Sequence, residues 1–127
     1  MPSHEIEEFA RALVRQVRDA AIRNCDVIRR PEASAPAALR WRALNASAPD
    51  IGVIVPDIVD ETVFSLLHAI DEGTLRLKFI SSSGREIDLT EEGQSELAGW
   101  YMGSGCWRAM FSEERYVDDF ADLAGDP

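Results

Sequence analysis

A chain of 127 residues is long enough for one hydrophobic core and too short for a comfortable second, and its 46% apolar and 28% charged residues are incompatible with wholesale disorder. Thirteen Lys and Arg against 23 Asp and Glu give a formal net charge of −10. That balance argues against nucleic acid or an anionic membrane as the main partner, because both demand a cationic surface.

The only cysteines, Cys25 and Cys106, lie far apart in the chain and read as free thiols in a reducing cytoplasm. The N-terminus is acidic from Glu5 onward, without the cationic start and apolar core of a secretory signal. Apolar runs such as Val53-Ile54-Val55 fall far short of the ~20 residues that span a bilayer. A cytoplasmic location is therefore expected. Arginine greatly outnumbers lysine (Lys78 alone) and alanine is abundant, a bias that points to a GC-rich bacterial genome.

Apolar residues Ile6, Phe9, Ala10, Leu13, Val17, Ala20, Ala21 and Ile28 recur at helical spacing and predict a long N-terminal helix over 3–30. Ser3 caps its start, Glu7–Arg11 and Asp19–Arg23 pair on its wet side, and Pro31 stops it. A second helix is expected over 35–45, capped by Ser34 and burying Trp41 and Leu44. The proline-framed stretch 48–56 reads as an extended connection. Asp57 or Asp60 then caps a third helix with Val59, Val63, Leu66, Leu67 and Ile70 inward, ended by Gly73.

A hairpin follows over 74–89. With a three-residue loop Ser82-Ser83-Gly84, Phe79 faces Ile87, Leu77 faces Leu89 on the core side, and Lys78 meets Asp88 on the other side. Thr90 is read as the cap of a fourth helix over 91–102 with Leu97, Ala98 and Tyr101 inward. Gly103-Ser104-Gly105 breaks it, and Ser112 caps an acidic last helix over 112–124 whose apolar face is Tyr116 or Val117, Phe120, Ala121 and Leu123. The fold class predicted is mainly α (α+β): about five helices in a single domain, 1–127, with one two-stranded hairpin between the third and fourth helices.

The acidity is uneven. It concentrates after residue 42, above all in Glu113, Glu114, Asp118, Asp119 and Asp122, where like charges stand four residues apart on the expected helix. Trp100, Tyr101 and Trp107 flank the glycine loop and would supply aromatic anchors beside that charge. These eight residues form the candidate partner-binding surface, and the partner it suits is a basic protein. The continuous apolar face of residues 6–28 also suits burial against a second copy, so homodimerisation is an open expectation.

No catalytic or cofactor motif is present. Cys106 in its glycine loop is the one candidate nucleophile, and its possible bases, His4 and His68, are distant in sequence. No metal-ligand spacing recurs around His68 and Asp71 or in the acidic tail. Residues Thr74–Gly93, a hairpin followed by Asp88-Leu89-Thr90-Glu91-Glu92-Gly93, resemble the wing and exit helix of winged-helix regulators. The resemblance implies a regulatory role, but the helix that would read DNA, starting Asp57-Ile58-Val59-Asp60-Glu61, carries no Arg or Lys. The best reading is a non-catalytic acidic protein-binding module, a small bacterial immunity or inhibitor protein that neutralises a basic toxin. The alternatives are a winged-helix-like regulator and a small cysteine-dependent enzyme using Cys106.

Overall fold

The N-terminal helix forms where the apolar spacing predicts it, but it changes its winding halfway. In the computed structural model, which describes residues 3–44, 48–103 and 105–118, α1 (His4–Ala12) runs into a π-helical segment (Leu13–Asp19) and on into α2 (Ala20–Ile28). Ser3 caps it as expected, its Oγ accepting from Ile6 N at 3.2 Å. The wider i→i+5 turns of the π segment slow the rotation per residue, so the inward face drifts C-terminally. Ile6 and Ala10 are buried ahead of the π segment, Leu13, Val14, Arg18 and Asp19 within it and Ile22 beyond it, while Val17 is 50% exposed. The expected wet pairing of Asp19 with Arg23 is therefore lost: Asp19 lies in the interior.

The short helix α3 (Pro36–Arg42) starts after Ala35 without a side-chain cap, buries Ala38 and leaves Leu44 exposed, narrower than predicted. The extended connection expected over 48–56 is instead helical. Helix α4 (Ala48–Asp71) passes straight through Pro56. Proline has no N–H for the carbonyl four residues back, which normally breaks a helix. Here Arg115 Nε and Nη2 donate to the orphaned Gly52 carbonyl at 3.3 and 3.1 Å. A residue 63 positions away supplies the donor that Pro56 lacks.

Val63, Leu67 and Ile70 of α4 enter the core, whereas Leu66 is exposed. Gly73 closes the helix with φ 77°, the left-handed conformation glycine tolerates best. Strands β1 (Lys78–Ile80) and β2 (Glu86–Asp88) pair antiparallel with Phe79 opposite Ile87 and Lys78 opposite Asp88, the predicted register, around a turn in which Gly84 has φ 86°. The ion pairs are diagonal, however: Arg76 Nη2 reaches Asp88 at 2.7 Å and Lys78 Nζ reaches Glu86 at 3.4 Å. Leu77 remains 41% exposed on the supposed core side. The Glu8 carboxylate of α1 accepts from Ser82 N and Ser82 Oγ, tying the turn to the N-terminal helix.

The predicted fourth helix is two. Helix α5 (Leu89–Gly93) is capped by Asp88, not Thr90, whose hydroxyl donates to the Ile70 carbonyl. Gln94 and Ser95 then take positive φ (51° and 62°), and α6 (Leu97–Met102) begins with Leu97 N and Ala98 N both donating to the Asp71 carboxylate at 3.0 Å. Helix α7 (Trp107–Phe111) follows. The last helix expected from Ser112 does not form over 112–118, and 119–124 lie outside the described residues. The fold is mainly helical with one two-stranded antiparallel sheet between α4 and α5. A single cluster gathers Ile6, Val14, Leu67, Ile70, Ile87, Leu89, Leu97, Tyr101, Trp107 and Phe111. Among the described residues no helix is long and apolar enough to cross a membrane.

Candidate functional site: a buried charge centre beneath an acidic face

The phase shift of the N-terminal helix has a chemical result. It carries Arg18 and Asp19, both 0% exposed, into the space where α4 delivers Asp60 and α7 delivers Arg108, each 3% exposed. Asp60 Oδ1 accepts from Arg18 Nε at 2.7 Å and from the Tyr101 hydroxyl at 2.6 Å, and Asp60 Oδ2 accepts from Arg108 Nη1 at 2.7 Å. Arg18 Nη1 donates to Asp19 at 2.8 Å. Two buried positive and two buried negative charges thus cancel, and the formal −10 of the chain falls outside this centre.

The segment 112–118 lies across the centre as a strap. Ser112 Oγ accepts from Arg18 Nη1 and donates to Asp19, both at 2.9 Å; Glu113 N donates to Asp19 at 2.7 Å; and the Arg115 carbonyl accepts from Arg18 Nη2 at 2.7 Å. The Arg115 carbonyl, which a helix starting at Ser112 would use internally, is thereby given to Arg18 instead. The Tyr116 ring covers Arg108 at 4.7 Å and Arg18 at 5.9 Å, a cation–π lid.

Electrostatically the centre is locked. Burial pushes the Tyr101 hydroxyl well above its ordinary value and the bond to Asp60 adds to this, so it stays protonated as a donor. Burial works against the charge on Arg18 and Arg108, but the bonds and charge of Asp60 more than offset it and both are raised. Asp60 has no free lone pair aimed at a reacting atom. Among the described residues Arg108 Nε is the one buried side-chain polar atom without a partner.

A second ion cluster pins the strap from outside. Asp26 accepts from Arg115 Nη1 and Nη2 at 3.0 and 2.9 Å and from Arg29 Nε at 3.1 Å. The bonds from Arg115, with a smaller share from Arg29, hold the Asp26 carboxyl below the ordinary aspartate range, while burial opposes them. Because its folded pKa lies below its unfolded one, the stabilisation is present above the unfolded value of about 3.9 and is lost as pH falls through the folded value. Asp26→Asn should therefore be less stable than the parent above about pH 5, with the difference shrinking as pH is lowered below about 3.9, by urea titration across that range. A gap that persists undiminished into acid would contradict this assignment.

The predicted surface residues scatter. Tyr101 and Trp107 are core residues, 0% and 3% exposed, so neither is a surface anchor; Trp100 is half-buried with its ring 6.0 Å from Trp107. Glu113 is exposed and 4.0 Å from Arg15, and Glu114 pairs with Arg115 at 3.3 Å. Asp118 is half-buried, and Asp119 and Asp122 lie outside the described residues. Cys106 is 2% exposed, while His68 is spent on Glu72 at 3.4 Å and on the Phe64 ring. Among the described residues no group of three or more His, Cys, Asp or Glu could hold a metal ion.

What the outer surface does offer is α4. Val53, Ile54 and Ile58 are 70%, 50% and 60% exposed on its N-terminal half, beside exposed Asp50, Asp57 and Glu61. Two hollows adjoin this face. One of about 370 Å³ lies between Val53, Pro56, Tyr116 and Val117, with Arg29 and Arg115 at its rim. The other, about 200 Å³, is lined by Asp57, Asp60, Glu61, Met102, Arg108 and Val117. Sequence reading placed 48–56 in a connection and so missed this face. Asp60 carried a legible signal, standing in phase with the buried stripe Val63, Leu67 and Ile70.

Comparison with known protein families, curated proteins and solved structures finds no match for this chain.

Proposed function

We propose that the chain is a non-catalytic acidic protein-binding module that captures and neutralises a basic protein, in the manner of a small bacterial immunity or inhibitor protein. The observation that carries this reading is the outer face of α4, where Val53, Ile54 and Ile58 stand in the open among Asp50, Asp57 and Glu61. Apolar side chains left in water beside carboxylates are costly for a solitary domain and useful to one that docks, since the apolar contacts supply affinity and the charges steer a cationic partner. The internal balance of Arg18, Arg108, Asp19 and Asp60 favours the same reading, because it leaves the whole net negative charge to the rest of the chain. The interaction surface thus moves from the anchors Trp100, Tyr101 and Trp107 to α4.

Affinity capture from the source cells with the parent and with Asp57→Lys/Glu61→Lys as baits tests it. A basic protein should be retained by the parent and depleted about tenfold or more from the doubly reversed bait. Equal recovery on both baits, or retention of acidic proteins alone, would remove the proposal.

A further inference from the structure

The two hollows beside α4 share Asp57 and Val117, which form the ridge between them. Their chemistry differs. The larger is walled by Val53, Pro56 and Val117 and suits an apolar group. The smaller opens between Asp57 and Glu61, exposed carboxylates with no ion-pair partner among the described residues. Beneath them Asp60 is already neutralised by Arg18 and Arg108. The arginines at the far rim do not reverse this sign: Arg115 is bonded to Asp26 and Glu114, and Arg29 to Asp26. Each of the three arginines that line the double hollow, Arg29, Arg108 and Arg115, is thus matched by a carboxylate, so the unspent charge is negative and lies on Asp57 and Glu61.

Resting on the protein-binding reading above, we infer that the pair of hollows receives one apolar side chain and one neighbouring Arg or Lys of the basic partner, the apolar group over Val53 and Val117 and the cation between Asp57 and Glu61. The partner motif is thus an exposed apolar residue next to a basic one. A purely cationic tail would use only half of the surface, and a purely apolar one would leave both carboxylates unpaired.

The test needs no identified partner. Hexylguanidinium joins an apolar chain to a guanidinium, methylguanidinium keeps only the charge, and hexanoate keeps the chain with the opposite charge. In a methyl-detected NMR titration of the full chain, hexylguanidinium should shift Val53, Val117 and Met102 saturably and bind about tenfold tighter than either control. Asp57→Asn/Glu61→Gln should reduce that preference to the level of the apolar chain alone, and exposed Val117→Ser should weaken the chain's share while the guanidinium's remains. Hexanoate binding as tightly as hexylguanidinium would overturn the inference, as would shifts scattered away from the ridge or no shift at all. If hexylguanidinium binds as described while charge-reversed and parent baits capture alike, the protein-binding reading fails and this site stands. Capture lost on reversal without any hexylguanidinium response has the opposite meaning.

Discussion

Asp60→Asn should destabilise the fold by about 3–5 kcal/mol, read as a lowered urea midpoint at neutral pH. The asparagine keeps the shape of the side chain but replaces one acceptor oxygen with a donor nitrogen and removes the charge. Of the two almost wholly buried arginines, Arg18 would then keep Asp19 as its carboxylate partner and Arg108 would have none. The size of the loss measures the stranding of two cations and the Tyr101 hydroxyl, not the net worth of the centre, since taking four charges out of water is itself expensive. The contrasting variant makes this visible: replacing Asp60, Arg18, Arg108 and Asp19 together by apolar residues of similar volume, which strands no charge, should cost less than the single change. A loss under about 1 kcal/mol for Asp60→Asn would show that the centre is hydrated and open, because exposed pairs contribute no more than that.

Trp107→Ala should cost about 3–5 kcal/mol, the range for removing a buried large aromatic side chain. The Trp107 ring makes an edge contact with Phe9 at 6.3 Å and lies 6.0 Å from Trp100, and Phe9 makes another with Phe79 at 5.6 Å, so one indole joins α7 to α1 and α6 and, through Phe9, to the hairpin. The thermal midpoint should fall by roughly 10 °C or more. This separates two roles that composition alone leaves equivalent. A surface anchor would lose its partner and keep its melting temperature; a core residue loses its melting temperature first.

The hairpin was legible because three local rules agree on it: alternation, turn glycine and cross-strand pairing select one register, Phe79 opposite Ile87. The start of the N-terminal helix was legible for the same reason, through Ser3 and the Ile6, Ala10, Leu13 spacing. What failed depends on distant residues. Pro56 is tolerated only because Arg115 attends to Gly52, and no window around 48–56 contains that fact. The π segment turns Arg18 and Asp19 inward because Asp60 and Arg108 await them, so a periodicity of 3.6 extended through residues 13–19 selects Val17 instead. Thr90 was a sound cap by type, yet Asp88, two residues earlier, takes the cap and Thr90 serves Ile70. The last helix is absent over 112–118, where Arg18 takes the Arg115 carbonyl that such a helix would have used.

The attachment of Arg115 to the Gly52 carbonyl also makes the first half of α4 depend on a residue far along the chain. Translation delivers Pro56 long before Arg115, so the first half of α4 emerges with its hydrogen-bond ladder interrupted and nothing yet made to mend it. Arg18 waits likewise for Ser112 and the Arg115 carbonyl. The two ends of the molecule are thereby coupled: a chain cut short before Ser112 would lose the donor on the Gly52 carbonyl and two partners of the buried Arg18 together.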